Sequence, residues 1–214
     1  MSDIVLRYPE LSEFDWLEHG FATRNAVDWF DESRLAHLKQ IHSDRVQVAT
    51  VPGHLGEGDA LISRTPGVVI GVRTADCLPL LLADPVRRAV AAVHAGWRGT
   101  DANVTASTLR TMQALFGTRP EDVVAAIGPG IGVCCYEVSE DVAARFTRWF
   151  PEWTPQPGKR HVDLVETNRR QLFAAGVRQI HSGAPCTRCD DRFHSYRRDG
   201  EAAGRMYSVI FIHS

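Results

Sequence analysis

Two stretches decide the reading: Gly67-Val-Val-Ile-Gly-Val-Arg-Thr-Ala-Asp-Cys77 and Ala89-Val-Ala-Ala-Val-His94. Each is an apolar run that ends in a reactive side chain, the pattern of a buried strand carrying that side chain to a sheet edge. Sites in α/β proteins gather at such edges, where the backbone is rigid and loops diverge. Two successive strands ending in Cys77 and His94 imply either a metal site or a thiol–imidazole couple.

Outward from this pair, apolar runs predict further strands at residues 45–51, 68–72, 78–83, 123–127, 177–180 and 205–212. A helix is expected over 102–116, closed by Gly117. A second starts at a Ser139 cap and runs to 150, and a third covers 164–175 with Gly176 as its stop. The Pro/Gly-rich stretch 151–158 reads as a surface loop. The first half is strand-rich, and strands and helices alternate in the second. The expectation is therefore an α/β chain, residues 1–214 as a single domain, with a mixed sheet and flanking helices.

The 214 residues suffice for one full core, with 44% hydrophobic and 23% charged residues. A formal net charge of −2 gives no electrostatic case for nucleic acid or a membrane surface. No run approaches the ~20 apolar residues of a membrane span, and the N-terminus lacks the pattern of a signal peptide. Cys77, Cys134, Cys135, Cys186 and Cys189 make an odd count with two adjacent, a poor disulfide framework. A cytoplasmic protein is expected.

Zinc favours thiolate and imidazole, and a catalytic zinc has about three protein ligands and an open position. Cys77 and His94 supply two. His42, just before the strand expected at 45–51, is the best-placed third, with Gln40 and Asp44 as polar company. The competing reading is bland: buried Cys is common in cores, and a lone His at a strand end is usually structural. What lifts the pair is its surroundings, Arg73 and Asp76 beside Cys77 and the Trp97-Arg98-Gly99 turn after His94. Gly96 and Gly99 permit close approach of a ligand. Arg98, Arg73 and a helix start after Gly99 suit an anion such as phosphate. Trp97 offers a flat face for a base or a sugar, or serves the core. Asp76 is a candidate for handling a proton or orienting a ligand. The loop Gly128-Pro-Gly-Ile-Gly-Val-Cys-Cys-Tyr-Glu137 reads as a pocket wall, with Cys134 and Cys135 as small apolar fillers. Cys186-Thr-Arg-Cys189 is a CxxC with no second pair, a weak zinc signal. The polar run around Ser195-Tyr-Arg-Arg-Asp199 reads as a functional loop.

Lys39-Gln-Ile-His42, Arg73-Thr-Ala-Asp-Cys77-Leu-Pro79, His94-Ala-Gly-Trp-Arg-Gly99, Ile127-Gly-Pro-Gly-Ile-Gly132 and Ser195-Tyr-Arg-Arg-Asp199-Gly200 together resemble the YfiH family, also called laccase-domain proteins, polyphenol oxidases or peptidoglycan editing factors. The resemblance spans nearly the whole chain. It implies a zinc held by His42, Cys77 and His94. It also implies phosphorolysis of adenosine, inosine or methylthioadenosine, with adenosine deamination as an associated activity. Purine nucleoside and phosphate become the expected partners, Gln40, Arg73, Trp97, Arg98 and Gly99 the substrate contacts, and Asp76, Arg73 and Arg98 the catalytic group, in a monomer. Ser43 stands where the family usually has Gly, and Gly130 and Val133 replace the more usual Cys and Pro.

Three rival readings compete. Two His and one Cys can hold copper, usually with an axial Met. Multicopper oxidases, however, use His-x-His segments, and none of the nine His here forms one. In a metal-free cysteine hydrolase or deamidase, Cys77 would be the nucleophile and His94 its base. The third role is editing of peptidoglycan precursors.

Overall fold

The computed structural model describes residues 4–153 and 158–213. Its strands form two six-stranded mixed sheets and a two-stranded ribbon. The first sheet runs Val5–Leu6, Leu17–Ala22, Met206–Ile212, Val69–Thr74, Leu35–Lys39, Gly53–Glu57. The second runs Gln179–His181, Val124–Ile127, Leu78–Asp84, Ala89–Ala95, Ala60–Ser63, Val46–Val48. The α/β expectation holds, but the strands are divided between two sheets.

Side-chain alternation explains the division. Along Leu78–Asp84 and Ala89–Ala95 both faces are apolar, so both need cover. Leu80, Leu82, Ala91 and Val93 pack against Val104, Leu109 and Met112 of helix Val104–Phe116 and Leu164 and Leu172 of helix Leu164–Ala174. Leu81, Ala83, Val90 and Ala92 turn the other way, onto Ile70, Val72 and Ile210 of the first sheet. The first sheet's outer face carries a smaller cluster of Leu35, Val69 and Val209 with Trp29 and Phe30 against it. The layers are thus sheet, sheet, helices.

Several elements depart from expectation. The helix expected over 102–116 is present as Val104–Phe116, and a short unexpected helix, Trp97–Asp101, precedes it, set apart at Asn103, which adopts φ 59°. Asn tolerates this left-handed conformation better than most residues. Ser139 begins a helix that stops at Ala144, followed by a 3₁₀ turn at Thr147–Trp149. Phe146 is fully buried, and Phe150 stacks on Trp153 at 4.4 Å, so these rings bend the chain into the core. The strand at 45–51 shortens to Val46–Val48, and Gln179–His181 replaces 177–180. Of the loop expected at 151–158, residues 154–157 lie outside the described residues. Among the described residues no helix is long and apolar enough to cross a membrane.

Candidate functional site

Leu78–Asp84 and Ala89–Ala95 pair antiparallel with Leu78 opposite Ala95 and Pro79 opposite His94. That register sets Cys77, one residue before its strand, beside His94 near the end of the other. His42 arrives from the turn after Leu35–Lys39 in the first sheet. The three ligand atoms all lie within 4.8 Å of one another. Cys77 Sγ is 4.0 Å from His42 Nε2, and the His42 and His94 rings are 4.9 Å apart at 72°. Residues 35 apart in the chain therefore meet at the mouth between the two sheets.

Asp59 completes the cluster. It is fully buried and accepts a 2.8 Å hydrogen bond from His94 Nδ1, which leaves Nε2 for the cavity. A carboxylate behind a ligating imidazole fixes its tautomer and raises its basicity. The same carboxylate accepts from the backbone N–H groups of Ile41, His42 and Ser43 at 3.3, 2.9 and 2.5 Å, and from the Ser43 hydroxyl at 2.7 Å. His42 sits at φ 60°, a strained conformation for a side-chain-bearing residue, and these bonds hold it there. Ser43, where the resembling family usually has Gly, thus contributes a donor. No sequence motif marks Asp59; the one available signal is an acid directly before the buried strand Ala60–Ser63.

The electrostatics follow from this packing. Burial opposes charge on His94, but Asp59 and the Cys77 sulfur outweigh it and raise the imidazole to about 9. Burial likewise pushes the Cys77 thiol up, and contacts with His42 and His94 reverse this, bringing it down to about 6. Asp59 is lowered to about 2: its desolvation is overcome by His94 and the Ser43 donors. In the metal-free cluster both shifts favour a thiolate beside an imidazolium. Two imidazoles and a thiolate, with one side open to a cavity, fit the donor set of a catalytic zinc. Metal binding would displace the proton from His94.

The cavity measures about 670 Å³ and places Arg73, Arg98, Arg197 and Arg205 around the cluster, with Tyr136 and Tyr196. Arg73 and Arg98 form no ion pair among the described residues; they lie over the rings of Tyr207 and Trp97 at 5.5 and 4.3 Å. Trp97 divides itself, lining the cavity and packing against the helix-side core. Gly96 is required: a Cβ there would lie 2.8 Å from Cys77 Sγ and 3.0 Å from His42 Cδ2. Gly99 is buried beneath the cavity, where a Cβ would meet Ser43 O at 3.3 Å. The helix that begins here starts at Trp97, not after Gly99.

Gln40 lines the cavity, but its amide clamps the Arg73 backbone, accepting from Arg73 N at 2.8 Å and donating to Arg73 O at 2.9 Å. Asp76, at φ 83°, accepts from Thr187 Oγ1 and from Arg197 N, each at 2.6 Å. It ties the Cys77 turn to the C-terminal segment, while Asp59 is the carboxylate on His94. Asp44 accepts from Ser107 Oγ at 3.2 Å. Gly130, where the resembling family usually has Cys, admits no side chain here, since a Cβ would sit 2.4 Å from Leu78 Cδ2. The polar run near the C-terminus does enter the cavity, through Tyr196 and Arg197, and Arg205 joins them from just before the last strand.

Residues 22–213 match the model of a family described as multi-copper polyphenol oxidoreductase laccase. A purine nucleoside phosphorylase of Deinococcus radiodurans is 45% identical over 85% of this chain and 71% of its own length. A protein named adenosine deaminase RL5, from an unknown prokaryotic organism, is 38% identical over 72% of this chain and 62% of its own. The crystal structure of YlmD from Geobacillus stearothermophilus superposes with a TM-score of 0.90 at 27% identity, covering 100% of this chain and 98% of YlmD.

Proposed function

The chain belongs to the family described as multi-copper polyphenol oxidoreductase laccase, and on that premise we propose that it is a zinc-dependent purine nucleoside phosphorylase. It would split adenosine, inosine or methylthioadenosine with phosphate, and deaminate adenosine at the same site. The observation that carries the reading is the convergence of His42, Cys77 and His94 at one wall of an arginine-lined cavity. The homologues named purine nucleoside phosphorylase and adenosine deaminase support it.

Arg73 and Arg98, which have no carboxylate partner among the described residues, are the groups to hold phosphate, and guanidinium geometry suits bidentate phosphate binding. Tyr136 and Tyr196 supply flat faces for the purine or the sugar. Gln40 holds the Arg73 backbone in place, and Asp76 holds the backbone of Arg197. Zinc, when bound by His42, Cys77 and His94, supplies a Lewis acid and lowers the pKa of water to about 7, as deamination requires. Asp59 keeps His94 Nε2 turned toward that position. Copper is the weaker fit, because the cavity lining contains no Met to serve as an axial ligand among the described residues.

The thiolate–imidazolium pair also favours a second reading, in which Cys77 acts as a metal-free nucleophile beside His94. One experiment separates the two. The purified chain is assayed for bound metal, and its reactions with adenosine and inosine are followed by chromatography with and without phosphate. Zinc with phosphate-dependent release of free base supports the proposal. Full activity in metal-free His42→Ala protein would transfer the chemistry to the cysteine.

A further inference from the structure

Four cysteines take no part in the reaction described above, yet they lie together. The sulfurs of Cys134, Cys135, Cys186 and Cys189 all fall within 4.8 Å of one another. Cys189 Sγ is 3.7 Å from Cys134 Sγ and 3.3 Å from Cys135 Sγ. A tetrahedron with Zn–S bonds of about 2.3 Å has edges of about 3.8 Å, so the four sulfurs already approximate the cage. We infer that Cys134, Cys135, Cys186 and Cys189 form a structural zinc site, separate from the His42–Cys77–His94 cluster.

The local backbone is shaped for this. Cys189 N and Asp190 N both donate to Cys186 O, at 3.1 and 3.0 Å, which curls the CxxC so that its two sulfurs can face one point. Gly132 N donates to Cys186 Sγ at 3.2 Å, a bond that favours a thiolate over a thiol. Cys135 N and Tyr136 N both donate to Gly132 O, at 3.0 Å each, which turns the adjacent cysteines toward the CxxC. Gly132 itself leaves room, since a Cβ there would stand 3.1 Å from Cys186 Cβ and 3.3 Å from Cys134 Sγ. All four cysteines are free of disulfides. An all-thiolate tetrahedral set selects zinc over harder divalent ions, and a four-ligand site has no open position for substrate. Binding is not a redox step: the metal enters as Zn²⁺ and the thiols release their protons.

The ion would staple two cavity-forming segments. Gly130 and Cys186 form a parallel bridge, and Thr187 N donates to Gly130 O at 3.0 Å. On one side the loop carries Ile131 and Tyr136 into the cavity wall. On the other, Thr187 Oγ1 donates to Asp76, next to Cys77. The staple therefore fixes the wall against the turn that presents Cys77.

The test uses the full-length chain purified without chelator from zinc-supplemented cells, with zinc counted per chain. Two equivalents are expected in the wild type. Cys77→Ser should keep one, and its cobalt-loaded form should show the intense visible absorption of a tetrahedral tetrathiolate. Cys189→Ser should also keep one, now at the histidine-containing cluster. Should Cys189→Ser fail to fold, the Cys77→Ser chain carries the test alone, together with alkylation of the wild type. There the four cysteines should resist alkylation until a chelator is added. A folded Cys77→Ser chain without zinc would overturn the assignment. So would a disulfide among the four in protein kept reduced and anaerobic.

Discussion

The two sulfur-containing clusters are built from different materials. His94 stands near the end of a buried strand, Cys77 just before another and His42 in a turn, with a carboxylate behind His94 and a cavity in front. The four-cysteine cluster hangs on two loops, uses one donor type and lies outside that cavity lining. Mixed donors with an open face suit catalysis, while four thiolates close the coordination sphere and suit cross-linking. The comparison teaches that donor composition and the surrounding carboxylates, rather than the number of ligands, separate a reaction centre from a staple.

The sharpest way to break that division is Cys77→Ser. It should remove the metal of the mixed cluster and lower phosphorolysis about 10³-fold, equivalent to about 4 kcal/mol of barrier, in a steady-state assay. Activity within tenfold of wild type would mean the mixed cluster is not the reaction centre.

Next in size is Asp59→Asn. Losing the carboxylate behind His94 should cost about 10–100-fold in metal affinity, read by competition with a chromophoric chelator. Stability should fall by about 2–3 kcal/mol in urea, because the charge and one of the two oxygens that accept from three backbone N–H groups are lost. Affinity unchanged with stability lowered would reduce Asp59 to a purely structural role.

Cys189→Ser should act on the other member of the pair. Melting temperature should drop, while phosphorolysis changes by less than about tenfold, or about 1.4 kcal/mol. A loss as large as that of Cys77→Ser would erase the distinction between the two clusters.

The smallest effect is in the pH dependence of the metal-free protein. His94 is raised to about 9 when folded, so its stabilisation is complete below its ordinary 6.5 and is lost as pH rises through 9. Cys77 is lowered to about 6, so its stabilisation is complete above its ordinary 9 and is lost as pH falls through 6. Between pH 6.5 and 9 the two slopes oppose each other, and wild-type urea midpoints should stay nearly level. In metal-free Cys77→Ser the Cys77 share of the rise is gone, Asp59 alone still raises the imidazole, and midpoints should fall as pH rises above 6.5. A level profile in both proteins would show that the imidazolium is not held as described.

Much of the second sheet was legible because its strands are short apolar runs closed by polar punctuation, as in Leu78–Asp84 and Val124–Ile127. The first sheet was harder to read. Leu17–Ala22 buries His19 and Gly20, and Gly53–Glu57 has two glycines and little apolar content, so neither carries a strand signature. Their pairing with Met206–Ile212 and with Leu35–Lys39 makes them strands. The helix begun at Ser139 failed for a related reason: burial of Phe146 and Phe150 overrode a good local start. In the site, Cys77 and His94 were visible from their own neighbourhoods, and His42 from its place before a strand. Arg197 was visible only as part of a polar run, and Arg205 only as the start of an expected strand.

The sequence by itself determined the alternation of buried strands, the punctuation between them and the reactive side chains at their ends, because these are encoded within a few neighbouring residues. The tertiary structure alone decided that Asp59 stands behind His94, 35 residues away, and that Cys135 meets Cys189 across 54. Spacing along the chain carries almost no information about such meetings. The cost of closing a loop rises only slowly with its length, so packing of the two sheets, rather than proximity in sequence, selects which distant groups share a site.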